Sequence, residues 1–178
     1  MKGIYKFKDG SKGKRKAQLF GSGAIMLAVL RAQELLGEQF DVCADVYSVT
    51  SYGELRRDAL SCERHNRLHP LDASRVPYIV RALQGVSGPF IAASDYMKAV
   101  PDQIARFMPG RFVPLGTDGF GMSDTREALR RHFEVDAESI VIATLDALRQ
   151  EGKADPGEVA RAIDTLGLDA DKVDAATI

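Results

Sequence analysis

The chain has 178 residues, 45% apolar and 28% charged, with a formal net charge of −1. A domain of that length buries roughly 70% of its unfolded surface and needs no disulfides or metals to fold. Its charge balance gives no general pull toward nucleic acid or anionic lipid, and two cysteines, Cys43 and Cys62, are too few for a disulfide framework and read as buried thiols.

The opening Met1-Lys2-Gly3-Ile4 has no apolar core, so no secretory leader is expected. The longest apolar-rich window, about Ile25 to Leu36, carries Arg31, Gln33 and Glu34 and is too short and polar for a membrane span. A reducing, cytoplasmic location is the expectation.

Ile4 to Lys8, the turn Asp9-Gly10-Ser11-Lys12-Gly13, and Lys16 to Phe20 read as a strand, a turn and a strand, hence an edge hairpin. Seven of the first sixteen residues are Lys or Arg. A basic arm for nucleic acid is one reading; lysines that discourage edge-to-edge pairing are the preferred one. Gly21-Ser22-Gly23 leads into a helix from about Ala24 to Leu36, with Gly37 placed for a left-handed C-cap. Asp41 to Val49 is a nearly continuous apolar strand, the pattern of a strand covered on both faces. Ser51 and Glu54 form a capping-box pattern for a helix running toward His69, where Pro70 stops it.

Pro77 suits the first turn of a short helix through Leu83. Pro89 to Ser94 is another buried strand, followed by a helix near Pro101 to Met108 and a strand at Arg111 to Leu115. Ser123 and Asp124 are placed to cap a helix ending near His132, and Asp136 caps a long helix that Gly152 ends. Asp155-Pro156 with Glu158 begins the last helix, which Gly167 terminates. Residues 1–168 read as one domain and 169–178 as a frayed C-terminal tail. Strands alternating with helices predict an α/β three-layer sandwich: a mainly parallel sheet covered on both faces, with the antiparallel N-terminal hairpin at its edge.

Gly21-Ser22-Gly23 lies where a dinucleotide fold places its phosphate loop, but Met26 occupies the third glycine position, so a ligand-free βα turn is preferred. Gly116 to Asp124 is richer, with three glycines and two aspartates past a strand's C-terminal end, where open α/β sheets bind ligands. No Gly-Lys-Ser/Thr follows, so it is not a phosphate loop of the Walker type. It either packs against a partner domain, the preferred reading, or takes a small molecule. Cys62, His65 and His69, at i, i+3 and i+7, could share a helix face as zinc ligands. Pro70 and the lack of an evident fourth ligand favour structural or interface histidines. His132 stands alone at a helix C-terminus, where positive charge is favourable. No nucleophile elbow and no acid/base carboxylate pair stands out.

Several longer phrases carry a family signature. They are Asp45-Val46-Tyr47-Ser48-Val49-Thr50-Ser51 with Glu54-Leu55-Arg56-Arg57-Asp58, Cys62-Glu63-Arg64, Asn66-Arg67-Leu68-His69-Pro70 and Arg75-Val76-Pro77-Tyr78. They continue with Ser94-Asp95-Tyr96-Met97, Leu115-Gly116-Thr117-Asp118-Gly119-Phe120-Gly121, Ser123-Asp124-Thr125-Arg126 and His132-Phe133-Glu134-Val135-Asp136. In this order, over nearly the whole chain, the set resembles the C-terminal domain of the homodimeric-type pyruvate dehydrogenase first component. Two positions depart from the pattern: His65, where an aromatic residue, usually tryptophan, is expected, and Met122, where a basic residue is expected.

The resemblance implies a transketolase-like C-terminal domain, one of three in a thiamine-diphosphate-dependent enzyme that decarboxylates pyruvate and transfers the acetyl group to lipoyl groups. In that superfamily the first domain holds the diphosphate and magnesium through a Gly-Asp-Gly…Asn motif, and a glutamate of the middle domain activates the aminopyrimidine. Asp118-Gly119 is not that motif, because Thr117 precedes it. No catalytic, cofactor-binding or metal-binding residue is therefore carried over, and the isolated chain is expected to be inactive. The role implied is structural: buttressing the middle domain, contributing to a homodimer, and shaping the approach of the lipoyl acyltransferase's substrate. Thr117, Asp118, Gly119, Phe120, Ser123, Asp124 and Arg126 are the candidate interface or active-site-facing loop. The alternative is a free-standing module of the same fold that binds a small molecule or docks onto the complex.

Overall fold

A computed structural model describes residues 2–11 and 13–177. Met1, Lys12 of the expected hairpin turn and Ile178 of the tail lie outside the described residues. Five strands form one sheet in the order β1-β3-β2-β4-β5: β1 (Ile4–Lys8), β2 (Arg15–Gly21), β3 (Val42–Val49), β4 (Phe90–Ala93) and β5 (Phe112–Leu115). β2, β3, β4 and β5 run parallel to one another, and β1 alone runs antiparallel, on β3.

Alternation along the strands sends side chains to two separate cores. Leu19, Val46 and Ile91 face one, built with α1 (Met26–Gln39), α6 (Ala137–Gln150) and α7 (Pro156–Thr165). Phe20, Tyr47, Phe90 and Ala92 face the other, built with α2 (Tyr52–Leu68), α3 (Tyr78–Ala82) and Ile104, which follows the short α4 (Ala99–Asp102). Phe20 centres the second core, edge-on to Tyr47, Phe90 and Phe112 at centroid distances of 5.4, 5.7 and 6.4 Å. Truncating such a buried ring typically costs about 3–5 kcal/mol. The three-layer α/β architecture matches the sequence expectation.

The expected N-terminal hairpin does not form. β1 is the antiparallel edge, but β3 lies between it and β2, with Ile4 opposite Val49 and Leu19 opposite Val46. The cause lies in burial. Ala17 to Gly21 are all buried, so β2 needs cover on both faces and a paired strand on both sides. β1 exposes everything after Ile4, as an edge does. The link from Lys8 to Arg15 needs only to cross two strand spacings, about 10 Å. It crosses the start of β3 closely: a Cβ on Gly13 would lie 2.4 Å from the Cys43 nitrogen. The glycine there serves backbone approach, not a hairpin turn.

Gly37 likewise is not a C-cap. The helix continues to Gln39, a Cβ at Gly37 would meet Ser11 Oγ at 2.4 Å, and the left-handed residue before β3 is Asp41, with φ 51°. Several members of the basic cluster have partners within the chain. Arg15 makes a bidentate bond to Glu158 at 2.7 and 2.9 Å, Lys6 bonds Asp45 and Asp9, and Lys16 Nζ lies 3.0 Å from Cys43 Sγ. Both cysteines are buried free thiols, and burial pushes the Cys62 thiol up. Among the described residues no helix is long and apolar enough to cross a membrane.

Candidate interface at the C-terminal edge of the sheet

Parallel pairing sends the C-terminal ends of β2, β3, β4 and β5 to one edge, where the loops after each strand gather. The Gly21-Ser22-Gly23 turn is filled by its own serine. Ser22 is buried; its hydroxyl donates to the Val49 carbonyl at 2.8 Å and its backbone N–H to the Ala93 carbonyl at 3.3 Å. Met26 packs over Gly21, its sulfur 3.1 Å from where a Cβ would stand. The turn ties three strand ends together. Beneath the edge, burial pushes the Tyr52 phenol far up, the Ser22 hydroxyl beside it working the other way. The buried hydroxyls of Tyr52 and Ser94 have no hydrogen-bond partner among the described residues.

The loop after β5 is built onto the loop after β4. The Thr117 N–H donates to the Tyr96 carbonyl at 2.9 Å, the Thr117 hydroxyl donates to the Asp95 carbonyl at 3.0 Å, and Asp118 Oδ1 accepts from the Lys98 N–H at 2.9 Å. Gly119 adopts φ +103°, and a Cβ there would lie 2.0 Å from the Ala175 carbonyl oxygen. Thr117, Asp118 and Gly119 are thus consumed in shaping the loop. Phe120, Ser123, Asp124 and Arg126 are exposed. A shallow cavity of about 310 Å³ lies between this loop, Asp95, Arg130 and Phe133.

Two expectations are corrected here. Neither Ser123 nor Asp124 caps α5 (Arg126–His132): Thr125 does, its hydroxyl accepting from the Ala128 N–H at 3.2 Å. Asp124 instead accepts from the Thr125 N–H. Of the expected frayed tail, 169–178, the described residues are tied to the domain. Lys172 Nζ donates to the carbonyls of Arg131 and His132 at 3.2 and 2.5 Å, satisfying the open end of α5. Ala175 is buried against Gly119. His132 stands in the last turn of α5, as its sequence position implied.

Sequence reasoning missed Asp95 and Arg130 as lining residues. Asp95 was findable, since it follows a strand that must end at this edge; Arg130 was one of several equivalent cations. The zinc trio also regroups: His65 and His69 cluster with Asp72, without Cys62.

The edge is rich in exposed apolar groups: Phe120 is 80% exposed, Met97 56%, Met122 55% and Tyr96 50%. These four stand on the two adjoining loops after β4 and β5. Among the described residues, no group of three or more carboxylate, imidazole or thiol ligands gathers at this edge.

Residues 3–136 match the family model described as the transketolase-like TK C-terminal domain. The pyruvate dehydrogenase E1 component of Escherichia coli is 50% identical over 175 residues, 97% of this chain and 19% of that protein. That of Mycobacterium tuberculosis is 50% identical over 157 residues, 88% of this chain and 17% of that protein. The chain thus spans about a fifth of the length of these curated relatives. Among solved structures, a split-gene transketolase in an inactive β4 tetramer superposes with a TM-score of 0.54 at 18% identity, over 82% of this chain and 42% of that one. Transketolase from Leishmania mexicana gives 0.51 at 17%, over 84% of this chain and 18% of that one. At those identities the two likenesses speak to fold alone, and they agree with the sheet and helices described above. By its sequence match and its fold, the chain belongs to the transketolase-like C-terminal domain family.

Proposed function

We propose that this chain serves as the C-terminal structural domain of a pyruvate dehydrogenase E1 enzyme that uses thiamine diphosphate and magnesium, decarboxylates pyruvate and hands the acetyl group to lipoyl groups. Its partners in this reading are the preceding domains of the same enzyme, a homodimer partner and the lipoyl acyltransferase, in the cytoplasm. The observation that supports it is the exposure of Tyr96, Met97, Phe120 and Met122 on the adjoining loops at the C-terminal edge of the sheet. A preceding domain that covers this face buries apolar surface at about 25 cal/mol per Å², and the loop holding it is already fixed by Thr117, Asp118 and Gly119.

No step of decarboxylation is assigned to residues of this chain. Its contribution is to hold a rigid loop against the neighbouring domain, so that catalytic groups elsewhere keep their geometry. Thiamine diphosphate with magnesium should leave the melting temperature of the isolated chain unchanged. A ligand at a hundred times its dissociation constant adds about 2.7 kcal/mol, so a clear shift would reassign cofactor binding to this chain and overturn the reading.

A further inference from the structure

The last turn of α2 and the loop after it bring together three potential ligands that no part of the reading above uses. His65 and His69 stand one turn apart, their rings stacked with centroids 4.5 Å apart. The chain turns at Pro70, and the Asp72 N–H donates to the His69 carbonyl at 3.1 Å, returning the Asp72 carboxylate toward His65. One ligand atom from each of His65, His69 and Asp72 lies within 4.8 Å of the others.

The loop is held from behind. The Asn66 side-chain amide donates to the Arg75 carbonyl at 2.9 Å and accepts the Arg75 N–H at 2.8 Å. Among the described residues His65 is not otherwise satisfied: Nδ1 is buried without a partner, and Nε2 is 3.9 Å from Asp72 Oδ2, too long for a hydrogen bond.

We propose that His65, His69 and Asp72 form a site for a divalent transition-metal ion of the zinc type. Two imidazoles and one carboxylate suit such an ion, and its charge is favoured at the C-terminal end of a 17-residue helix. Ligands at about 2.0–2.2 Å from zinc stand about 3.4 Å apart in a tetrahedral site. Small rotations of the exposed His69 and Asp72 side chains supply that contraction. Three protein ligands leave the fourth position to water. The ion clips the loop to α2 and so fixes the fully exposed Leu71, 99% accessible. Cys62, buried on the same helix, takes no part.

The test uses the tag-free, chelator-stripped chain titrated with Zn²⁺ by calorimetry, with Co²⁺ absorption as a second probe. One ion per chain is expected. Because losing even an outer-shell partner costs about 10–100-fold in affinity, His69→Ala and Asp72→Asn should each weaken binding at least about tenfold, and Cys62→Ser should change nothing. Metal-free melting curves check that the variants fold. On the wild-type chain, the His65 and His69 ring resonances should shift on adding Zn²⁺, independently of any variant. Absence of saturable binding, ring signals that do not move, or affinity that survives both ligand substitutions would each overturn the proposal.

Discussion

Gly119, in the loop after β5, lies directly against Ala175 near the end of the chain, with room for no side chain between its Cα and the Ala175 carbonyl. The same glycine sits at φ +103°, a backbone region that L side chains rarely adopt. The backbone at Ala175 therefore lies against the loop that carries the exposed face.

Replacing Gly119 by Ala should destabilise the chain by about 1–3 kcal/mol, the cost of a strained backbone with a clash added. It should also raise hydrogen exchange over residues 169–177. Gly121→Ala is the control. Its Cβ would meet nothing within 4 Å, and it should change stability by no more than about 0.5 kcal/mol. Equal effects at the two positions would remove the tail from the loop's support.

The start of α5 can be tested by two substitutions two residues apart. Thr125→Ala removes the hydroxyl that accepts the Ala128 N–H and should cost about 1 kcal/mol. Ser123→Ala should be close to neutral. Urea denaturation of both variants distinguishes the true cap from the one expected from sequence.

Much of the fold was legible because burial writes itself into composition. The apolar runs of β3 and β4, the Ser51 and Asp136 caps and the Asp155-Pro156 start all appear where the pattern put them. Pairing was not legible in the same way. Two strands joined by a glycine-bearing turn satisfy hairpin chemistry locally, and only the unbroken burial of Ala17 to Gly21 signals that β2 is central. Gly13 and Gly37 were misread for a related reason: close approach of distant backbone leaves no local trace. The candidate loop was found from its glycines and its place after a strand. Its contact with Ala175, and the place of Asp72 beside His65, arise from contacts no local spacing encodes.

The Lys6–Asp45 pair predicts a pH dependence. Burial pushes the Asp45 carboxyl up, but the Lys6 ammonium at 2.9 Å and the Gly10 N–H at 2.7 Å outweigh it and hold the group below the ordinary carboxylate range. A depressed carboxyl contributes stability that is present above its unfolded value, about 3.9, and is lost as pH falls through its folded value. Lys6, raised by Asp45 and Asp9, contributes stability that is full below its unfolded value, about 10.4, and lost only as pH rises through its higher folded value. Across pH 2 to 7, then, Asp45 sets the slope. Unfolding free energies should show wild type more stable than Asp45→Asn at pH 7, the gap closing as pH falls below about 4. A gap that stays constant down to pH 2 would show that the carboxylate's charge is not what stabilises this corner.

In the proposed role, the C-terminal edge of the sheet docks onto the preceding domains of a pyruvate dehydrogenase E1 enzyme. The most direct measurement mixes the chain with the Escherichia coli E1 component shortened to lack its own C-terminal domain, then assays pyruvate decarboxylation with thiamine diphosphate and magnesium. The account predicts no activity from the chain alone and activity from the mixture. It also predicts loss of that activity when Phe120 and Met122 are both changed to Ser, with the variant's own melting temperature preserved. Turnover by the isolated chain, or full activity of the mixture with the double variant, would contradict it.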